Sequence, residues 1–240
     1  MPEHTVIIPV YNETQRISLT CDKILEFLEH QDYCFLFVND GSTDNTLDII
    51  MEKTKGAPAD KIKYISLEKN MGKGAAVKKG VEHVETEYLC FMDGDLAYSL
   101  EQLITLFDAL KNADMVIGNR TLGREDQKNI PPLRRLLGWG FNRLIRVIMR
   151  MPYNDTQAGM KGFRTEGAKK IFSKQIINGF SFDVELIFIA RKLGYKVGEI
   201  PAYVQDDHTE KNSKVNLLKD PIKMFFSLFL IHYYNCKGKY

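Results

Sequence analysis

Short apolar runs alternate with amphipathic stretches along the first half of the chain. Runs rich in β-branched and aromatic residues predict strands at 5–10, 33–38, 61–67, 88–92 and 115–118. Apolar residues at helical spacing predict helices at 14–30, from the turn at 41–44 to about 55, at 75–84 and at 100–110. This alternation is typical of a mostly parallel sheet that is covered by helices on both faces.

The second half of the chain has a less regular pattern. It predicts strands at 160–164 and 196–201, a helix at 182–193 and a polar, mobile loop at 206–212. Asp183 and Glu185 lie in the first turn of the predicted helix 182–193. Carboxylates at that place favour the helix dipole, so helix capping is one explanation of this pair.

Two segments combine apolar with basic residues. After Pro131 and Pro132, segment 133–151 has apolar residues at helical spacing, and it is flanked by Arg135, Arg143, Arg146 and Arg150. The apolar run 224–234 is bounded by lysines and is too short to span a bilayer. Each segment fits an amphipathic helix on an anionic membrane surface. Each also fits a helix packed on the protein body, and the tail fits a dimer contact.

Composition narrows the class of protein. A chain of 240 residues with 44% hydrophobic and 27% charged residues favours one large globular domain. The net charge of +2 argues against a strongly basic nucleic-acid binder, and the four cysteines lack the spacing of zinc or redox motifs. We see no signal-peptide pattern and no apolar run of the roughly 18 residues that a spanning helix needs. We therefore expect a protein of the reducing cytosol.

Polar residues follow the predicted strands, where a parallel sheet gathers its ligands. Asp93 and Asp95 end an apolar run, and extended backbone would place both carboxylates on one side. Such a pair favours a divalent cation such as Mg²⁺, which adds water and substrate phosphate oxygens, although a plain turn is the alternative. Glu13, Asp40 and Lys73 also follow strands. We therefore predict a metal–diphosphate site on this rim. No Gly-x-Gly-x-x-Gly motif follows the first strand, which argues against a dinucleotide-dependent oxidoreductase.

Taken together, the motifs resemble those of the inverting glycosyltransferases of family 2. They are Pro9-Val10-Tyr11-Asn12-Glu13, Val38-Asn39-Asp40-Gly41-Ser42-Thr43-Asp44, Asn70-Met71-Gly72-Lys73-Gly74 and Asp93-Gly94-Asp95. A narrower resemblance, to the polyprenyl-phosphate and dolichyl-phosphate sugar synthases, rests on Gly118-Asn119-Arg120, Asp155-Thr156-Gln157-Ala158-Gly159-Met160-Lys161, Phe182-Asp183-Val184-Glu185-Leu186 and Ser213-Lys214-Val215. The resemblance implies an α/β fold of the Rossmann-like, nucleotide-sugar-binding GT-A type.

The resemblance also implies a reaction, in which a hexose passes with inversion from a nucleotide-diphosphate sugar to a polyprenyl or dolichyl phosphate. The residues expected to bind the donor nucleotide are Pro9, Tyr11, Glu13, Asp40, Lys73 and Asp93. Asp93 and Asp95 would hold Mg²⁺ or Mn²⁺. The acceptor phosphate would be bound by Arg120, Arg134 and Lys214. The expected catalytic set is Asp95, Asp155, Gln157 and Asp183. Asp155 and Gln157 would line the sugar side, and Asp183 and Glu185 would orient the acceptor cations unless they only cap their helix.

The branch of the family sets the expected donor and location. Asp155-Thr156-Gln157 and the small Ala97 favour UDP-glucose, whereas many mannosyl synthases carry Gln in place of Ala97. The alternatives are a GDP-mannose-dependent synthase, a polysaccharide-building transferase and a nucleotide-binding module without activity. We expect a catalytic domain at 1–214 with 133–151 as an inserted interfacial helix, and a C-terminal helix at 215–240. The protein would be peripheral to the cytosolic face of a membrane, and a membrane-spanning partner subunit stays open.

Overall fold

The structure is a computed structural model that describes residues 2–123, 140, 143, 145–179, 181–205 and 219–240. In this part of the chain, the strands are β1 His4–Val10, β2 Tyr33–Asn39, β3 Ile62–Ser66, β4 Tyr88–Met92, β5 Met115–Asn119, β6 Met160–Arg164 and β7 Val197–Pro201. The helices are α1 Ile17–His30, α2 Thr46–Lys53, α3 Lys73–Glu82, α4 Gln102–Leu110, α5 Thr165–Lys174, α6 Phe182–Lys192 and α7 Lys219–Cys236. Residues 145–149 are also helical.

The strands form one sheet in the order β3-β2-β1-β4-β6-β5-β7. Every neighbouring pair is parallel except those that involve β6, which runs antiparallel to β4 and to β5. The mostly parallel sheet is therefore confirmed. The chain fills the sheet outward from β1 to β3 and then returns to add β4 on the other side of β1. In open α/β sheets, ligands bind beyond the carboxyl ends of the strands at such a switch point.

The core lies on both faces of the sheet because alternate residues of a strand point to opposite sides. In β1, Ile7 packs into a cluster with residues of α3, α5, α6 and α7. Its neighbours Val6 and Ile8 pack into a second cluster with residues of α1, α2 and α4. Helices on both faces were predicted from the sequence, and the structure confirms them. The sheet is thus a rigid platform whose carboxyl edge carries the candidate site.

One helix was not predicted from the sequence. Helix α5 directly follows β6, and Ala168, Ile171 and Phe172 are buried on its inner face. These positions have the i, i+3, i+4 spacing that predicts a helix. The pattern was therefore present in the sequence, but the run is only 10 residues long and four of them are charged.

The two segments with apolar and basic residues differ in how much of them the structure describes. Most of 133–151 and all of 206–212 lie outside the described residues. In 145–149, Ile145 is buried and Val147 is 70% exposed. Helix α7 buries Leu228 and Ile231 in the core, which confirms packing on the body for this face. Among the described helices, none has the length and apolar content needed to cross a bilayer.

Candidate active site at the carboxyl edge of the sheet

The Asp93–Asp95 segment forms a turn. Strand β4 ends at Met92, and the Asp93 carbonyl accepts a hydrogen bond of 3.1 Å from the backbone N–H of Leu96. The φ angle of Leu96 is 49°, in the left-handed region. Asp95 Oδ1 accepts a bond of 3.2 Å from the N–H of Ala97. The expectation of extended backbone through Asp95 was therefore wrong, because the chain reverses directly after the strand.

The Asp93 carboxylate is confined on two sides. Its Oδ1 lies 2.5 Å from Lys73 Nζ, and Lys73 is the first residue of α3. The same ammonium lies 5.8 Å from the ring centroid of Phe91 and 5.7 Å from that of Phe182. A Cβ atom added to Gly159 would come within 2.0 Å of Asp93 Oδ2. Any side chain at this position would therefore force the Asp93 carboxylate to shift.

Asp93 and Asp95 act electrostatically on the same cations. Burial alone would lower the pKa of Lys73, but nearby carboxylates raise that pKa above its usual range, in the order Asp93, Asp183 and Asp95. Burial also lowers the pKa of Arg16, and its carboxylate neighbours, Asp95 and Asp93 among them, raise it further than burial lowers it. The predicted convergence on one rim is therefore confirmed for Lys73, Asp93 and Asp95, despite the turn.

Asp40 holds the loop that leads into α3. Its Oδ1 accepts a hydrogen bond of 2.7 Å from the N–H of Met71, and its Oδ2 one of 2.9 Å from Gly72. Asp40 is only 3% exposed. On the other side of the loop, the N–H of Gly74 donates to the Asn178 carbonyl at 2.8 Å. These bonds fix the first turn of α3. The predicted contact of Asp40 with a nucleotide stays a prediction.

Glu13 positions an arginine that the sequence analysis did not identify. Glu13 Oε2 accepts a hydrogen bond of 2.5 Å from Arg16 Nε, and its backbone N–H donates to Thr46 Oγ1 at 2.7 Å. Arg16 Nη1 lies 3.9 Å from Asp95 Oδ2. Glu13 therefore holds a guanidinium beside the Asp93–Asp95 turn. The i, i+3 spacing of Glu13 and Arg16 was the signal available in the sequence.

Asp155 and Arg120 form a bidentate pair. Asp155 Oδ2 accepts hydrogen bonds from the backbone N–H of Arg120 at 3.1 Å and from its Nε at 2.6 Å, and Oδ1 accepts one from Nη2 at 2.9 Å. The N–H of Gln157 also donates to Oδ1, at 3.1 Å. The Asp155 side chain is 1% exposed and the Arg120 side chain is 40% exposed. Asp155 therefore fixes the orientation of a partly exposed guanidinium.

Asp183 belongs to a buried ion pair. Its Oδ1 accepts a hydrogen bond of 2.6 Å from Lys161 Nζ, and the side chains are 6% and 0% exposed. Lys161 also donates to the Ala158 carbonyl at 2.8 Å and lies 5.7 Å from the Phe91 ring centroid. Burial lowers the pKa of Lys161, although Asp183 opposes this change. Lys161 ends one of the motifs quoted from the sequence but was given no role there, because nothing local in an apolar strand identifies a partner 22 residues away.

Glu185 supports the loop that faces α3. It is fully buried, and it accepts hydrogen bonds from the N–H groups of Ile176 at 3.0 Å and Ile177 at 2.9 Å. The hydroxyl of Tyr240 donates to the same carboxylate at 2.5 Å. Both carboxylates lie in the first turn of α6 and also bind partners outside this helix: Asp183 pairs with Lys161, and Glu185 holds the backbone of Ile176 and Ile177.

The remaining predicted site residues are only partly described. Pro9 pairs with Val38 between β1 and β2, and Tyr11 is half-buried just beyond the end of β1. Arg134 and Lys214 lie outside the described residues. Their predicted roles toward donor and acceptor stay predictions.

The oxygen ligands at the Asp93–Asp95 turn fit a hard divalent cation. Within the described ranges, no group of three or more His, Cys, Asp or Glu residues could hold a metal ion. The predicted protein ligands, the carboxylates of Asp93 and Asp95, are 35% and 23% exposed. Mg²⁺ usually takes one or two carboxylates and completes its shell with water and phosphate oxygens. The pair is suited to a metal that is shared with a diphosphate.

Comparison with known proteins gives one family model and many relatives. The model described as glycosyl transferase family 2 matches residues 5–172. A dolichyl-phosphate β-glucosyltransferase of Trichomonas vaginalis is 34% identical over 211 residues, which are 82% of this chain and 62% of that protein. The chain thus spans less than two thirds of this relative. The corresponding enzyme of Saccharomyces cerevisiae is 32% identical over 248 residues, covering 95% of this chain and 73% of that protein.

Solved structures show the same fold at low sequence identity. Glucosyl-3-phosphoglycerate synthase from Mycobacterium tuberculosis, crystallised with uridine diphosphate, superposes with a TM-score of 0.67 at 15% identity. The match covers 96% of this chain and 80% of that one. The GT-A-like architecture of a mostly parallel sheet flanked by helices is therefore confirmed.

Proposed function

The chain belongs to glycosyltransferase family 2, and from this we propose that it transfers glucose from UDP-glucose to a polyprenyl or dolichyl phosphate with inversion. The observation that carries the proposal is the arrangement at the carboxyl edge of the sheet. There, the paired carboxylates Asp93 and Asp95 lie beside Lys73 and Arg16. The acceptor is inferred from the relatives named dolichyl-phosphate β-glucosyltransferase.

The donor half of the reaction would use residues on the switch point of the sheet. Asp93 and Asp95 would hold Mg²⁺ or Mn²⁺, and a bound metal stabilises the charge of the leaving diphosphate. Lys73 and Arg16 bring positive charge to the same rim. Asp40 would act as a positioning residue, because its carboxylate fixes the loop that presents Lys73. The binding of the diphosphate thus combines a metal with preorganised cations.

The acceptor half would depend on cations rather than on a strong base. A phosphate monoester has a second pKa of about 6, so its oxygen is already anionic near neutral pH. Arg120 is held by Asp155 through Nε and Nη2 while 40% of its side chain stays exposed. A guanidinium fixed in this way suits bidentate contact with phosphate. We assign Arg120 to the acceptor, together with Arg134 and Lys214, and Gln157 to the sugar.

The lipid acceptor requires contact with a membrane, and α7 offers a surface for it. We define the α7 aromatic face as Phe226, Phe229, Leu230 and Tyr233, which are 64%, 51%, 40% and 56% exposed. The exposed lysines Lys223, Lys237 and Lys239 flank this face. Aromatic residues between lysines are suited to the headgroup region of a bilayer. We infer that the protein docks through this face on the cytosolic side of a membrane.

The proposal is tested by incubating the protein with Mg²⁺, dolichyl phosphate in detergent, and either UDP-glucose or GDP-mannose. We expect lipid-linked sugar from UDP-glucose alone, and none when a soluble sugar replaces the lipid phosphate. Asp95→Ala should remain folded and form no product. Product from GDP-mannose alone would assign the chain to the mannosyl branch. Efficient transfer to a soluble sugar would overturn the proposal that the acceptor is a lipid phosphate.

A further inference from the structure

Lys73 holds an unusual place in the site. Its ammonium makes a 2.5 Å ion pair with Asp93 Oδ1 and is enclosed by the rings of Phe91 and Phe182. The lysine side chain is only 16% exposed, whereas that of Asp93 is 35% exposed. The ammonium therefore faces the same carboxylate that a divalent cation would need.

The two oxygens of Asp93 differ in their access. Asp93 Oδ2 packs so closely on Gly159 that a Cβ atom there would lie 2.0 Å away. Asp93 Oδ1 is the oxygen contacted by Lys73 Nζ. A metal ion that approaches Asp93 would thus meet a positive charge within contact distance of the ligand oxygen. Two cations on one carboxylate repel each other, and the repulsion is strong where water is partly excluded.

We propose that the Lys73 ammonium neutralises Asp93 in the metal-free protein. A divalent metal must displace this ammonium from Asp93, and the displaced ammonium then pairs with the donor diphosphate. The flexible four-carbon stem of lysine permits such a change of partner. The metal alone would bind weakly, and metal and diphosphate would bind cooperatively, since the diphosphate offers oxygens to both cations. The diphosphate part of the inference rests on the proposed function. The competition between Lys73 and the metal does not.

The competition is tested by titrating the protein with Mn²⁺ in the absence of nucleotide and following free Mn²⁺ by electron paramagnetic resonance. Lys73→Met should bind Mn²⁺ about tenfold more tightly than the wild type, because one adjacent positive charge is removed. Lys73→Arg keeps the charge and should resemble the wild type. Lys79→Met is the matched control, since Lys79 lies on the same helix in an exposed pair with Glu82. It should change nothing.

A second titration tests the cooperativity. UDP should strengthen Mn²⁺ binding in the wild type, and this strengthening should be smaller in Lys73→Met. Adding Asp93→Asn to Lys73→Met should remove the Mn²⁺ affinity that Lys73→Met gained. If circular dichroism shows that Lys73→Met is unfolded, Lys73→Gln replaces it. Equal, weaker or absent Mn²⁺ binding in the neutral variants would overturn the proposal. Formation of lipid-linked glucose by the wild type would support the proposed function whatever the outcome of the Mn²⁺ titrations.

Discussion

Single residues of the site act mainly through their neighbours. Asp155 was predicted to lie on the sugar side, yet both of its oxygens are bonded to Arg120 and to the backbone of Gln157. Burial by itself would raise the pKa of Asp155, but the Arg120 guanidinium outweighs burial and holds that pKa below its usual range. A buried carboxylate of this kind orients a cation, and the cation is the group that can reach a ligand.

The Asp155–Arg120 pair can be tested through stability and its pH dependence. Asp155→Asn should lower the free energy of unfolding at pH 7 by about 1–3 kcal/mol, since it weakens a charged hydrogen-bonded pair that is exposed on one side. Because the folded pKa of Asp155 is depressed, this stability is present above its ordinary pKa and is lost as the pH falls through the folded value. Urea unfolding between pH 3 and pH 7 measures it.

The matched control for this variant is Asp108→Asn. Asp108 pairs with Lys111 on the surface, where the side chains are 72% and 68% exposed. Exposed pairs contribute at most about 1 kcal/mol. A similar loss of stability in both variants would contradict a special role for Asp155. A raised KM for dolichyl phosphate in Asp155→Asn alone would support its action through Arg120.

Gly159 is a residue whose importance only close packing reveals. Gly159→Ala should remove most of the activity, because the new Cβ atom would come within 2.0 Å of Asp93 Oδ2 and displace the carboxylate. The control is Gly167→Ala in α5, where the Cβ atom would meet only Tyr195 at 3.7 Å. That variant should stay active and gain about 0.5–1 kcal/mol of helix stability. Full activity of Gly159→Ala would contradict this placement of Asp93.

At the scale of elements, one helix can serve the core and a surface at once. Leu228 and Ile231 are buried in the core, whereas the α7 aromatic face is exposed along the same helix. The helical period of 3.6 residues separates the two sets. The sequence pattern allowed membrane contact and packing as alternatives, and the structure shows packing on one face while leaving the other for the proposed membrane contact.

The two faces of α7 predict opposite mutational effects. Phe226→Ser with Phe229→Ser should weaken binding to vesicles of anionic lipid several-fold with little change in stability, since both rings are exposed. Leu228→Ala should instead cost about 2–5 kcal/mol of stability and leave vesicle binding of the folded protein intact. Vesicle sedimentation at low and high salt, together with urea unfolding, measures both. Unchanged sedimentation of the double variant would refute membrane contact by this face.

A chain of hydrogen bonds joins the end of the described chain to the site. Tyr240 donates to Glu185, which holds the 176–177 backbone, and the neighbouring Asn178 carbonyl accepts from Gly74 at the start of α3. Burial raises the pKa of Glu185, although its hydrogen bonds oppose this. The folded state therefore holds its proton to higher pH than the unfolded state. Stability from this group is greatest at low pH and declines as the pH rises through the folded pKa.

Tyr240→Phe should make the loss of stability with rising pH larger. The hydroxyl stabilises the ionised form of Glu185, so its removal should cost about 1–3 kcal/mol above the folded pKa and much less below it. Urea unfolding of the variant and the wild type between pH 4 and pH 8 measures the difference. Tyr233→Phe is the control, because Tyr233 is 56% exposed on the α7 aromatic face. A loss that does not depend on pH would show that only packing was changed.

At the scale of the whole molecule, binding at the sheet edge should stabilise the entire fold. A ligand at 100 times its Kd adds about 2.7 kcal/mol to the free energy of unfolding. UDP with Mg²⁺ should therefore raise the Tm of the wild type but not that of Asp95→Ala, whose ligand-free Tm should stay close to the wild-type value. Thermal unfolding with and without the ligand pair measures this. An equal rise in the variant would place the metal elsewhere.

The sequence by itself determined the repeating elements and the edge of the sheet that carries chemistry. Hydrophobic periodicity is a local property, so it predicted β1 to β5, the helices between them and the rim where Asp40, Lys73 and Asp93 meet. The strand–helix alternation also predicted the mostly parallel sheet. The motif set, read as a resemblance, predicted the family that the comparisons confirm.

Only the tertiary structure decided which side chains work together. The pairing of Lys161 with Asp183 spans 22 residues and that of Arg120 with Asp155 spans 35, and no local period encodes such partners. The antiparallel direction of β6 likewise depends on pairing with a distant segment, β4. Charged groups can be buried only beside a partner, because desolvation is costly. Packing therefore selected the ion pairs, and it identified the cations that Asp155 and Asp183 hold, Arg120 and Lys161.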